Sequence, residues 1–484
     1  MSKFPGEQMS KSETIELRNK IIGKSCQLFY KNDPLKIVRG KGQFMYDEEG
    51  TRYLDCINNV ATVGHCHPKV VQAGSSQMSV ISTNNRFLHD ELIKCAQNLI
   101  ERMPHDSLSV CFFVNSGSEA NDLALRLARA HTQQKDIITL DHAYHGHIIS
   151  CMEISPYKFN RPGNIDVKKP DFVHVASCPD VYRGKYRNID HPNSKLSDLY
   201  ANDVKKIIET IQQNDKGVSA FIAESLQSCG GQIFAPVGYF EKVYEAVRKA
   251  GGVCIADEVQ VGFGRVGTHY WAFETQNVVP DIVTVAKPMG NGHPVGAVVT
   301  TKQIADSFAK TGVQYFNTYG GNPVSCAIAN AVMQVIDEEK LQENCLVVGN
   351  YLLEKAGDLM KDFELIGDVR GMGLFFGIEL VTDRKLRTPA TEEANFIVDR
   401  MKNVHKILVS SDGPDDNVVK LKPPMVFDKE NVDEFIAGFK ECLQHIYKEK
   451  EKFIALTASS QIPCSLTLSA AKISEKRDRF IKSV

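Results

Sequence analysis

The stretch LSVCFFVNSGSEANDLALRLARAH, residues 108–131, changes its period in the middle. Its first part, LSVCFFVN, is a short apolar run of strand type, with valine and phenylalanine prominent. In its second part Leu123, Leu127 and Ala130 fall at helical spacing, so SEANDLALRLARAH is predicted as a helix. A strand turning into a helix is the repeating unit of a sheet covered on both faces. The pattern recurs downstream. DIITL (136–140), VSAFIAE (218–224), GGVCIAD (251–257), DIVTVA (281–286) and GAVVTT (296–301) read as strands. Helices lie between several of them, such as YFEKVYEAVRKA, which stops at Gly251-Gly252. This alternation predicts an α/β chain with a mainly parallel sheet.

Outside this block the pattern differs. Residues 41–60 alternate around an Asp-Glu-Glu-Gly turn and read as a hairpin. After about residue 326 come long helices, then a strand pair in ELIGDVRGMGLFFGIEL and a last amphipathic helix near 431–453. The expected organisation is an N-terminal segment (1–75) contributing to a small domain and a large domain (76–325). A C-terminal small domain (326–454) follows, then a tail (455–484) whose Ser, Thr and Lys content predicts disorder.

Composition narrows the function classes. Hydrophobic residues make up 43% of the 484 and charged residues 24%, as in an ordinary globular protein, and the net charge of -2 argues against nucleic acid or an anionic membrane as partner. No apolar run approaches the ~20 residues of a spanning helix. The opening MSKFPGEQMSKSETIELRNK contains acids, no apolar core and no arginine-rich amphipathic stretch, so neither a secretory nor a matrix-targeting leader is expected. The 13 cysteines lack CxxC spacing and read as reduced thiols in an intracellular, soluble protein.

Four segments carry chemistry. NSGSEAN (115–121) joins the first strand to its helix; it is either an anion-binding helix start or a tight turn capped by Ser118. In CIADEVQVGFGRVG (254–267), Asp257 and Glu258 stand where an apolar strand ends, the ligand edge of a parallel sheet. The same segment contains Gly262, Gly264 and Gly267 in G-x-G-x-x-G spacing. That motif needs a strand before it and a helix after it, and neither flank qualifies, so a nicotinamide- or flavin-linked oxidoreductase is the weaker reading. His142, His145 and His147, with His65, Cys66 and His67, suggest a metal site, but i, i+2 spacing in loops is unspecific; cleft-lining polar residues, with Tyr144 as an aromatic face, are expected instead of a metal. In VTVAKPMGNGHPVG (283–296), Lys287 stands at the tip of a strand, 30 residues after Asp257.

An anion-binding helix start, a strand-end carboxylate, an aromatic face and a strand-end lysine match what pyridoxal 5'-phosphate requires. The lysine forms the Schiff base, the carboxylate keeps the pyridine nitrogen protonated, the helix start holds the phosphate and the aromatic ring stacks.

NSGSEAND, DHAYHGH, ADEVQVGFGRVG, AKPMGNGHPVG and NTYGGNP, in that order, resemble the class-III aminotransferases over roughly residues 15–450. The resemblance implies the type-I pyridoxal-phosphate fold and a homodimer, or a dimer of dimers, with active sites at the subunit interface. It implies Lys287 as the Schiff-base lysine, Asp257 as partner of the pyridine nitrogen, Gln260 on the phenolic oxygen and Tyr144 stacking on the ring. Gly117 and Ser118 would hold the phosphate with Thr318 of the neighbouring subunit, and Glu224 belongs to the cofactor contacts.

Two departures matter. Many members place an arginine before x-x-P-P to grip the substrate carboxylate; here Lys420 stands there, with Lys422 two residues on. Lysine is a point charge suited to phosphate, whereas arginine suits a carboxylate. Ser225 follows Glu224 where the family usually has proline. These features resemble most the phospho-lyase branch, which eliminates phosphate from ethanolamine phosphate or 5-phosphohydroxylysine. The alternative is transamination of the alanine–glyoxylate type. Family resemblance points to mitochondria, composition alone to no compartment beyond the cell interior.

Overall fold

The computed structural model describes residues 8–160, 167–192 and 195–459. The hairpin at the start forms from β1 (Ile37–Lys41), β2 (Phe44–Asp47) and β3 (Arg52–Asp55). Its turn is tied by Asp47, whose Oδ1 accepts from the Glu49 and Thr51 N–H groups at 3.1 and 2.8 Å. Gly50, at φ +88°, supplies the left-handed residue this turn requires.

The predicted strands assemble into one seven-stranded sheet. Its members are β4 (Leu108–Val114), β5 (Asp136–Leu140), β6 (Val173–Ala176), β7 (Val218–Glu224), β8 (Val253–Asp257), β9 (Ile282–Val285) and β10 (Gly296–Thr301). Their spatial order is β4-β10-β9-β8-β7-β5-β6. Strands β5 to β9 pair in parallel, and β10 alone runs against both of its neighbours. β10 departs from the parallel pattern because a short turn returns the chain from β9, and a parallel pairing would need a crossover of a dozen residues. The chain leaves β5 outward to β6, then returns to the other side of β5 at β7. That reversal opens a crevice at the carboxyl edge, where β5, β7, β8 and β9 all end.

The helix Gly117–Thr132 packs its Leu123, Ala124, Leu127 and Ala128 on Ile137, Ile222, Ile255 and Ile282 of this sheet. It ends at Gln133 in the left-handed conformation. Helix Tyr239–Lys249 stops where predicted, with Gly251 at φ +82°.

Later in the chain β11 (Ile366–Met372), β12 (Phe375–Asp383), β13 (Thr388–Pro389), β15 (Ser410–Asp412) and β16 (Val418–Leu421) form an antiparallel sheet. Strand β14 (Ile407–Leu408) instead joins the N-terminal hairpin, pairing in parallel with β3 through Ile407↔Leu54 and Leu408↔Asp55. Segments far apart in sequence thus build one layer. These sheets all fall within Met1–Lys440, the first of two units; the second is Glu441–Val484. The last helix, Lys429–Ser459, begins before and ends after the expected span, entering the stretch read as a disordered tail; the rest of that tail lies outside the described residues.

Candidate active site

The carboxyl edge of the sheet opens into a cavity of about 300 Å³. Gly117, Ser118, Tyr144, Asp257, Gln260 and Lys287, six of the residues expected from sequence, line it. They come from four strand ends: Gly117 and Ser118 after β4, Tyr144 after β5, Asp257 and Gln260 at and after the end of β8, and Lys287 after β9.

Asp257 is the last residue of β8 and is buried. Its Oδ2 accepts from Asn121 Nδ2 at 2.7 Å and from His145 Nδ1–H at 2.9 Å, and its Oδ1 from the Val259 N–H at 3.1 Å. Asn121 is in turn held by Thr284 of β9, which donates to its Oδ1 at 2.7 Å, and itself donates to the His145 carbonyl at 2.8 Å. Three fixed donors therefore set the rotamer of the carboxylate. His145 is engaged here, while His65 bonds Asp55 at 2.7 Å and His67 bonds Glu339 at 2.9 Å. The two histidine patches thus bond different carboxylates and do not converge on one another.

Lys287 follows β9, and its ammonium donates to no described residue. Burial pulls it below the usual lysine range, against the opposing charges of Cys229, Asp257 and Glu224. Tyr144 follows β5; its N–H donates to Glu224 Oε1 at 3.1 Å, and burial pushes its phenol up to about 12. Glu224 itself lies beneath the cavity wall, accepting also from the Ser228 N–H at 3.0 Å, with burial raising its carboxyl.

At the start of the helix Gly117–Thr132 the cap is Ser116, whose Oγ accepts from the Glu119 N–H at 3.1 Å. Ser118 does not cap; its Oγ accepts from the His147 N–H at 3.0 Å. Gly117 and Ser118 are first-turn residues, so their N–H groups have no intrahelical partner and are available to an anion. A Cβ on Gly117 would stand 2.7 Å from Val259 Cγ1, so only glycine admits this approach.

Gly264 and Gly267 take φ +80° and +78° in a buried turn, and no helix opens at the motif: the next one, the short Ala272–Gln276, starts five residues beyond Gly267. A side chain on Gly267 would stand 2.6 Å from the Leu346 backbone. The dinucleotide spacing thus belongs to a packing turn, which corrects the oxidoreductase alternative.

Lys420, on β16, and Lys422, just after it, border the site without lining the cavity. Lys420 pairs with Asp412; burial pulls its ammonium down, and Asp412 outweighs that to leave it raised. Lys422 Nζ donates to Ser228 Oγ at 2.7 Å and Gln260 Oε1 at 3.0 Å, and burial, with Lys420 and Lys287 nearby, holds it well below the lysine range. Thr318 is exposed and outside the cavity of its own chain, whereas its neighbour Asn317 accepts from Asn115 at 2.8 Å.

The model of the aminotransferase class-III family matches residues 29–443. The chain belongs to that family. It is similar, at 66% identity over 99% of this chain and 97% of the other, to an alanine–glyoxylate aminotransferase 2-like protein of Drosophila melanogaster. It is 47% identical to ethanolamine-phosphate phospho-lyase homolog 1 of Caenorhabditis elegans, covering 90% of this chain and 94% of that one. Among solved structures, a phospholyase from Arthrobacter in complex with phosphoethanolamine superposes with a TM-score of 0.83 at 37% identity, covering 89% of this chain and 99% of the other. The fold is thus that of the class-III, pyridoxal-phosphate-dependent enzymes, and the protein is an enzyme.

The residues present fit that cofactor. The cavity offers an amine, a carboxylate held by three donors, an aromatic face and free N–H groups at a helix start, one for each part of the group. Asn121, Asn59, Ser228 and Asp412 escaped the sequence reading. Asn121 had a signal: a polar residue on the apolar face that also carries Ala124 and Ala128, buried to 1% exposure.

Proposed function

We propose that this protein binds pyridoxal 5'-phosphate and eliminates phosphate from a small phosphorylated amine of the phosphoethanolamine class. Water completes the reaction, and the products are an aldehyde, ammonia and inorganic phosphate. The observation that carries this reading is the pair Lys420 and Lys422 bordering the cavity. They set lysine side chains where many relatives have a carboxylate-gripping arginine, and Lys420, paired with Asp412, is the one whose positive charge is favoured.

Lys287 would bind the cofactor, Asp257 would face its ring nitrogen, Gln260 its phenolic oxygen and Tyr144 its ring face. Gly117 and Ser118, with Thr318 of a neighbouring subunit, would hold its phosphate, and Glu224 would brace the Tyr144 loop. The cofactor supplies an electrophilic carbon for amines and a ring that accepts electrons. Lys287, released by the incoming amine, would remove a proton from the amine-bearing carbon; burial lowers its proton affinity, which favours the unprotonated amine that a base requires. The C–O bond to phosphate then breaks with its electron pair leaving on the phosphate. Lys420 keeps two N–H donors beyond its Asp412 pair to meet that charge.

A homodimer belongs to this reading. Val71, Met78, Val80, Ile81, Phe87 and Leu88 are exposed along one segment, and such a patch supports burial against a second copy. So do the division of the chain at about residues 75, 325 and 454, and a place inside the cell, in mitochondria or cytoplasm. No helix among the described residues is long and apolar enough to cross a membrane.

The test is one assay, purified protein with phosphoethanolamine and no keto acid. Release of inorganic phosphate supports the lyase. Turnover only with an amino-acid and keto-acid pair overturns it in favour of transamination, the second reading, which the name of the Drosophila relative favours.

A further inference from the structure

Gln260 is held by its carbonyl oxygen. Asn59 Nδ2 donates to Gln260 Oε1 at 2.8 Å, and Lys422 Nζ donates to the same oxygen at 3.0 Å. The direction of these bonds is fixed by chemistry. Both nitrogens meet the same side-chain atom of Gln260, and the second contact of Asn59 shows which atom that is. Asn59 Nδ2 also reaches the Gln260 backbone carbonyl at 3.4 Å, and a carbonyl only accepts, so the amide nitrogen of Asn59 points this way. With Oε1 occupied twice, the Nε2 group, two donors without a described partner, is left to the cavity that Gln260 lines.

Both holders are themselves fixed. Lys422 donates its side chain to Ser228 Oγ at 2.7 Å and its backbone N–H to the Cys56 carbonyl at 2.9 Å, and Arg265 Nη1 grips the next carbonyl, that of Pro423, at 2.8 Å. Asn59 sits just after β3 and is buried. The charged and titratable groups around Lys422 are Lys420, Lys287, Cys229 and Asp412.

We propose that Lys422, together with Asn59, is a positioning residue that fixes Gln260 as a hydrogen-bond donor into the cavity, so that this wall accepts an anionic oxygen. Resting on the cofactor reading above, that oxygen is the phenolic oxygen of pyridoxal phosphate. Lys422 then acts on the cofactor through Gln260, separately from any contact with substrate. A firm donor at the phenolic oxygen withdraws electron density from the neighbouring Lys287 nitrogen. Loss of the lock leaves that nitrogen more basic.

The test uses the full-length protein loaded with pyridoxal phosphate and no substrate. The readouts are the pH midpoint of the visible absorbance change and the cofactor dissociation constant. In Lys422→Met the midpoint should rise by about one unit and cofactor binding should weaken about two- to tenfold, as for the loss of one hydrogen bond. In a Gln260→Ala background the same substitution should add nothing to either readout. Asn59→Ala, checked for folding by its melting curve, should shift the midpoint in the same direction and serves if Lys422→Met does not fold. An unchanged midpoint in the folded variants, or a Lys422→Met shift that persists without Gln260, overturns the proposal. No visible band in the wild type would instead overturn the cofactor reading on which the ligand assignment rests.

Discussion

Lys287 is half-buried in the cavity wall, and its amine has no hydrogen-bond acceptor among the described residues, which leaves it free to react. Lys287→Ala should leave the fold intact, remove the visible absorbance of bound cofactor and lower turnover by at least about 10²–10⁴-fold, the range of a positioned acid–base group. Spectra and phosphate release measure both, and a variant that keeps its absorbance would displace Lys287 from this role. Lys420 differs, because Asp412 already pairs with it. Lys420→Ala should raise KM for a phosphorylated amine about 10- to 100-fold, as for a charged hydrogen bond of about 1.5–3 kcal/mol, with cofactor still bound. Steady-state kinetics decide this, and an unchanged KM would place the phosphate elsewhere. Lys287 and Asp257 were legible because each ends an apolar run. The partner of Asn121 was not, since it lies 136 residues away, and that of Asp412 depends on how β15 and β16 pair.

Among the elements, β8 ends in one acid and is followed directly by another, and the two have different tasks. Asp257 turns to the cavity, while Glu258 is fully buried and accepts from the Ala272 and Phe273 N–H groups, each at 2.9 Å. It thereby ties the end of β8 to the short helix Ala272–Gln276. Burial raises its carboxyl from 4.5 to about 7, so the folded chain holds a proton that the unfolded chain releases earlier. That contribution to stability is complete below pH 4.5 and is lost as pH rises through about 7, on the order of 3 kcal/mol in all. Urea midpoints taken from about pH 5 to pH 8 should fall in the wild type, and Glu258→Gln should flatten the trend; an equal slope in both would assign it to other groups. The strands themselves were legible from their apolar runs. The reversed direction of β10 was not, because GAVVTT reads alike in either orientation.

For the whole molecule, the site depends on chain ends meeting. Asn59 from the N-terminal hairpin and Lys422 from the last sheet converge on Gln260 of the central block. The proposed dimer makes a prediction at the same scale. Leu88 is fully exposed and Phe87 is 68% exposed, so Leu88→Glu should halve the particle mass measured by sedimentation. Cofactor affinity should fall with it, since Thr318 would no longer reach a neighbouring site. A monomeric wild type, or a variant that still dimerises, would move the interface elsewhere.

By itself the sequence determined the α/β alternation, the anion-binding turn, the strand-end acid and lysine, and hence the family of chemistry. These are local features: a period, a cap or an apolar run is complete within about a dozen residues. Only the tertiary structure decided that Ser116 caps the helix, that His145 and Asn121 hold Asp257, and that Lys422 and Asn59 orient Gln260. Such bonds join residues brought together by sheet order and by the pairing of β3 with β14, and no local pattern encodes which distant donor will find which acceptor.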